Sequence, residues 1–309
     1  MKKYLKRLGI TAGLSLTLVA AACGSEDANQ EAATGENNED SQATEVSVGE
    51  QLDYTITGID AGAGIMAATE AAIDAYGLDD YQLQPSSGAA MTSALDAAIS
   101  NEEAIVVTGW TPHWKFAAYD LKYLEDPEGV FGAAESIHTI VREGLDSDLP
   151  EAYEVLDNFY WSPDHMGEIM VAVNEGADPA EAAAAWVEAN QDIVTEWTNG
   201  VNTVDGDALT LAFVAWDSEI ASTHMIGYVL ESIGYDVTLM SMEPGPMFTA
   251  VATGSADAMV AAWLPGTHEA YYEDFKDDFV DLGANLDGAK IGLVVPAYMD
   301  ITSIEDLKN

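Results

Sequence analysis

The sequence predicts an α/β protein of two similar lobes joined by a double-stranded hinge. A strand–helix–strand–helix–strand pattern occurs twice at nearly equal length, each copy ends on Trp-x-Pro, and extended runs lie outside both copies. The first copy opens with an apolar strand over 54–60 and a helix from about 64 to 76. A strand over 81–84 leads to a turn at 85–91. A helix and a buried strand over 104–108 then deliver Trp110-Thr111-Pro112-His113. The second copy opens with a strand over 209–216 and a helix from about 218 to 233. A strand over 237–242 meets a turn at 243–247. A helix and a strand over 256–262 deliver Trp263-Leu264-Pro265-Gly266-Thr267-His268. Strands alternating with helices in this way imply mainly parallel sheets. In such sheets ligands bind beyond the carboxyl ends of strands, where each Trp motif begins.

Between the copies, 136–144 reads as a connecting strand, and 150–159 and 179–197 read as helical. After the second copy come an extended run over 289–296 and a short capped helix near Ser303. Two extended runs between lobes suit a hinge, and two lobes with a hinge make a clamp.

The chain has 309 residues, with 54 Asp+Glu against 10 Lys+Arg and a net charge of −44. Too few cations remain to displace phosphate counterions, so nucleic acid is excluded as a partner. Self-repulsion on this scale disfavours a compact chain unless salt screens it, which reads as adaptation to a saline exterior; simple solubility is the plainer explanation. The N-terminus is an address. Lys2, Lys3, Lys6 and Arg7 form a basic region, residues 8–22 an apolar stretch too short to span a bilayer comfortably, and Ala20-Ala21-Ala22 run into Cys23, the only cysteine. We expect a lipoprotein signal peptide over 1–22, with Cys23 acylated and holding the protein to the extracytoplasmic face of the cell membrane. The polar, acidic stretch 23–47 then serves as a tether.

Trp110 and Trp263 follow repeated buried strands, and Trp216 ends the opening strand of the second copy. Core packing and cleft lining are both open to a Trp so placed. Converging Trp faces attract a quaternary ammonium, which has no N–H to donate, by on the order of 0.5 to 2 kcal/mol per desolvated contact. The Gly62-Ala63-Gly64-Ile65 turn opens a helix whose free N–H groups suit a carboxylate, and His268 is a further donor. A cation cage with a carboxylate cradle describes a site for a zwitterion such as a betaine.

Enzyme readings have less support. There is no Gly-x-Ser-x-Gly, phosphate-binding loop or His-Glu-x-x-His. The histidines His113, His138, His165, His224 and His268 lack metal-ligand spacing. Acid pairs such as Asp217 and Glu219 read as solvated surface or helix caps. The expectation is a binding protein without catalytic residues, metal or cofactor. The rival outside binding proteins is an acidic extracellular hydrolase using paired carboxylates.

Several stretches carry a close resemblance: GIDAGAGIM (58–66), TGWTPHW (108–114), KYLEDP (122–127), MGEIM (166–170), AWDSEIAST (215–223), GSADA (254–258), AWLPGTH (262–268) and GLVVPAYM (292–299). They span the folded part and resemble the substrate-binding lipoproteins of glycine betaine ABC importers of the OpuAC type. The resemblance implies a two-lobed periplasmic-binding-protein-like fold of type II, closing on its ligand like a clam shell. It implies a cage on Trp110, Trp216 and Trp263, and a carboxylate held by the N–H groups of Gly64 and Ile65 and by His268. It also implies delivery of glycine betaine to permease subunits, with osmoprotection as the physiology. Proline betaine, carnitine, choline or a cyclic osmolyte are rival ligands. The circular permutation of this type places residues 48–140 with 291–309 in one lobe and 141–290 in the other. Trp114, Trp161, Trp186 and Trp197 are left as packing residues.

Overall fold

A single long strand belongs to both halves of the molecule. The computed structural model describes residues 46–308, and the expected signal peptide, Cys23 and all but the end of the tether lie outside them. In the first lobe, β2 (Gln82–Gln84), β1 (Thr55–Thr57) and β3 (Val106–Thr111) run parallel. β4 (Leu121–Tyr123) follows, and the chain then enters the second lobe as β5 (Glu135–Arg142). There β7 (Asp236–Ser241), β6 (Ala208–Phe213) and β8 (Ala258–Leu264) run parallel, with β5 antiparallel to β8. The last strand, β9 (Phe279–Pro296), pairs antiparallel with β5 over 279–289 and with β3 over 290–294, its end also meeting β4.

The chain therefore passes between lobes twice, once ahead of Glu135 and once between Ala289 and Lys290. The expected boundary at 140 cuts through β5, whose whole length pairs in the second sheet. Only the second half of β9 was expected as a strand. Its first half carries three register shifts against β5, with Gly283 (φ 95°) and Gly288 (φ 84°) in the left-handed region. Such bulges break the alternation that marks a strand in sequence.

The repeat is present with two local differences. The expected turns at 85–91 and 243–247 are largely helix starts: Ser87 Oγ accepts the Ala90 N–H at the head of Gly88–Asn101, and Pro244 opens Pro244–Ala252. The helices Gly64–Tyr76 and Asp217–Ser232 follow β1 and β6 as expected. The segment between copies forms Pro150–Asn158, Pro163–Asn174, Pro179–Ala189 and Gln191–Trp197. Trp161, Trp186 and Trp197 pack together there, with ring centroids 5.7 and 6.4 Å apart along the series.

One cation lies inside the first lobe. Lys115 is fully buried, its Nζ 4.4 Å from the Trp110 ring centroid and 3.4 Å from the Thr108 carbonyl. Burial pushes this amine down to about 7, with Asp217 acting in the opposite sense. The unfolded chain holds the proton up to its ordinary pKa, so the cost of burying the lysine is full below pH 7 and vanishes as pH rises towards 10.5. Lys115→Met should raise unfolding free energy by about 1–4 kcal/mol at pH 6, and the gain should shrink by pH 9.5. Urea denaturation at the two pH values measures this; a gain that does not depend on pH would contradict a buried charge.

Candidate functional site

Where the lobes face each other lies a narrow cavity, with about 20 Å³ open to the centre of a water-sized sphere. The first lobe contributes Ile59, Ala63, Gly64, Ile65, Trp110 and Ile291; the second contributes Trp216, Ser218, Trp263, Thr267 and His268. All six residues expected at a ligand site thus line one cavity. Trp110 lies on β3 opposite Ile291, Trp263 on β8 opposite Ile137, and Trp216 at the head of Asp217–Ser232. Each ring is buried.

The helix Gly64–Tyr76 begins after Ala63, which has no side chain to cap it, so the N–H groups of Gly64 and Ile65 are left at the cavity wall. Position 64 admits only glycine, because a Cβ there would stand 1.9 Å from the Thr267 carbonyl oxygen of the opposite lobe. That loop is held by Glu135, the first residue of β5. Its buried carboxylate accepts from the Gly266 and Thr267 N–H groups at 2.6 and 2.7 Å and from the Thr267 hydroxyl. The residue just past the crossover therefore positions the loop that meets Gly64.

His268 is fully buried, and its Nδ1 accepts the Trp263 backbone N–H at 3.1 Å. The proton of the neutral ring therefore sits on Nε2, which has no protein partner. Burial pushes the imidazole down to about 4, so the ring is neutral near pH 7. The cavity thus offers three indole rings and three uncharged N–H donors, and no Lys, Arg, Asp or Glu lines it. Such a lining suits a molecule carrying both charges, since neither end meets a fixed ion.

Polar contacts join the lobes around this cavity. Trp216 Nε1 donates to Asp60 Oδ2 at 2.9 Å, Trp114 Nε1 to Asp217 Oδ1 at 3.0 Å, and the Tyr271 hydroxyl to the Gly62 carbonyl at 3.0 Å. Sequence reasoning missed Asp60, Asp217 and Glu135, and left Trp114 to packing. Asp60 and Asp217 directly flank the Gly-rich turn and Trp216, but side-chain direction across a cleft leaves no mark in sequence. Glu219 is no surface acid either. It is fully buried, accepts the Val214 N–H at 2.7 Å, and is pushed up to about 8 by burial.

Comparison with known proteins agrees with this chemistry. Residues 24–189 and 207–309 match the family described as the substrate-binding domain of ABC-type glycine betaine transport systems. The chain is 55% identical over 308 residues to the glycine betaine/carnitine transport binding protein GbuC of Listeria monocytogenes serotype 1/2a (strain 10403S), covering 98% of this chain and 99% of that protein. Among solved structures it is similar to lactococcal OpuAC in its closed-liganded conformation with glycine betaine (49% identity, 48% of this chain and 58% of that chain, TM-score 0.46). It is also similar to a glycine/betaine/L-proline-binding protein (ProX) from Borrelia burgdorferi (42% identity, 49% and 58%, TM-score 0.47). The chain spans somewhat over half the length of these solved chains. The Listeria relative is named as a transport binding protein, not an enzyme, and the family match covers most of the sequence: the chain belongs to the substrate-binding domains of ABC-type glycine betaine transport systems.

Proposed function

We propose that this protein binds glycine betaine between Trp110, Trp216 and Trp263 and delivers it to the permease subunits of an ABC importer. The observation that carries the reading is the cavity itself: three indole rings and the unpartnered Nε2 of His268 together with the N–H groups of Gly64 and Ile65. The trimethylammonium end sits against the rings, which attract it without needing acceptors. The carboxylate accepts from Gly64, Ile65 and His268. An amine with N–H groups would leave its donors unpaired among the indoles, which selects for a quaternary cation. Ligand touching both lobes favours their closed arrangement through its differential affinity.

Placement at the extracytoplasmic face follows from delivery to an importer. Anchorage through acylated Cys23 rests on the sequence: a basic region, an apolar stretch and small residues that run into that cysteine. The large acidic excess fits a protein working in salt. A larger betaine is the second reading, because the name of the Listeria relative pairs glycine betaine with carnitine.

Calorimetric titration with glycine betaine, carnitine, choline and proline tests the assignment and ranks the ligands. Saturable binding of betaine but not proline is expected, and no binding of any quaternary ammonium would overturn the reading. Trp263→Ala should weaken betaine by about 1–3 kcal/mol, and an unchanged Kd would remove that ring from the cage. His268→Ala should weaken betaine by about 1–3 kcal/mol but choline, which has no carboxylate, by much less; equal losses would argue against the carboxylate role. Gly64→Ala should leave the protein folded, as judged by circular dichroism, and reduce affinity at least about tenfold by holding the lobes apart at Thr267. Affinity at wild-type level would show that this close approach is not needed for binding.

A further inference from the structure

Two neighbouring residues of the second lobe reach into the first on different partners. Trp216 donates its indole N–H to Asp60, and Asp217 presents both carboxylate oxygens to the Trp-Thr-Pro-His-Trp segment. Asp217 Oδ1 accepts from Trp114 Nε1 at 3.0 Å, and Oδ2 lies 3.4 Å from His113 Nε2. The imidazole is set to face this way. Its Nδ1 accepts the Lys115 backbone N–H at 3.1 Å, which leaves the proton on Nε2, a buried atom that approaches Asp217 without completing a hydrogen bond. His113 also packs edge-on with Trp110, their centroids 4.6 Å apart at 78°. A continuous set of contacts thus runs from the second lobe through Asp217 and His113 to a cavity-lining ring of the first.

We propose that Asp217 is the latch of the clamp, a positioning residue that touches no ligand but slows ligand release by tying the second lobe to Trp114 and His113. The inference rests on the binding reading above, to which it adds the residue that sets residence time. Its physical basis is the location of the partners. Asp217 belongs to one lobe, Trp114 and His113 to the other, so the Trp114 hydrogen bond and the His113 approach exist only while the lobes meet. In the parted state water replaces each bond at Asp217 and Trp114. Closure restores contacts to an ionised carboxylate, which are stronger than contacts between neutral groups. Because they form after ligand has entered, their loss should appear in dissociation and not in association. Asp217 and Trp216 are adjacent, so the movement that brings Trp216 to the cavity also brings the latch to its partners.

Stopped-flow tryptophan fluorescence with glycine betaine tests this on Asp217→Ala, Trp114→Phe and their combination. Trp114→Phe keeps an aromatic ring while removing the N–H. We expect dissociation to quicken roughly tenfold in Asp217→Ala and severalfold in Trp114→Phe, with association within about threefold of wild type. The double variant should release betaine no faster than Asp217→Ala alone. Unchanged dissociation, a loss lying wholly in association, or independent effects of the two substitutions would each overturn the proposal. Should Asp217→Ala fail to fold, Trp114→Phe carries the same test of release against association. Trp263→Ala separates the two levels, since among the described residues Trp263 shares no hydrogen bond with Asp217, Trp114 or His113. Weak betaine binding there with unchanged release from Asp217→Ala sinks the latch and leaves the cage. Wild-type binding by Trp263→Ala removes that ring from the cage, and the latch is then judged by the release rate of Asp217→Ala.

Discussion

The structure depends on β9 being hydrogen-bonded into both sheets. Each sheet contributes a parallel set of three strands, and each set would end on an open edge without an antiparallel partner. β9 supplies one to β3 directly and reaches the second set through β5. The second crossing, just ahead of β5, lies beside it in sequence pairing, with Glu135 opposite Ala289. Two adjacent strand passages permit bending where few side chains need to repack, while the sheets on either side stay rigid. That division suits a molecule whose cavity is built half on one lobe and half on the other.

The lining of the cavity carries no charged side chain, although the chain as a whole carries −44. A zwitterion has no net charge, so the long-range field of the protein neither gathers nor repels it. Recognition must come from short-range contacts, which high salt screens little because they are buried. The structure is consistent with that demand. The lining carries no ion, His268 is kept neutral by burial, and its tautomer is chosen by a backbone bond to Trp263. Charge is instead placed one layer back. Lys115 lies beneath Trp110, Glu135 behind the Thr267 loop, and Asp217 beyond His113. Glu135 and Asp217 hold loop and indole in place through hydrogen bonds, whereas Lys115 is buried at a cost.

Much of the fold was legible in the chain. Apolar runs separated by helical periods marked β1, β3, β6 and β8, and the doubled Trp-x-Pro marked the equivalence of the lobes. Helix starts at Ser87 and Pro244 were read as turns, since Ser, Pro and Gly serve both purposes and only the hydrogen bonds that follow decide between them. The first half of β9 escaped because bulges at Gly283 and Gly288 interrupt its alternation. The same register explains why β5 belongs wholly to the second lobe: strand membership is set by the partner, and its partners in β8 and β9 lie between 117 and 154 residues away.

Six of the eleven residues that line the cavity were likewise named from sequence; local pattern offered them only as candidates, and the family resemblance singled out the set. What the chain alone determined was the repeated α/β pattern, the charge, and the kinds of group available for a zwitterion. Tertiary structure decided which of those groups meet. It set the His268 proton on Nε2 through a backbone contact, required glycine at position 64 through a carbonyl from the other lobe, and turned Asp217 from an apparent surface acid into a bond across the cleft. The last two are contacts between residues far apart in the chain, while the first closes a turn of five residues; in every case local sequence pattern records what a residue is without recording what it will face.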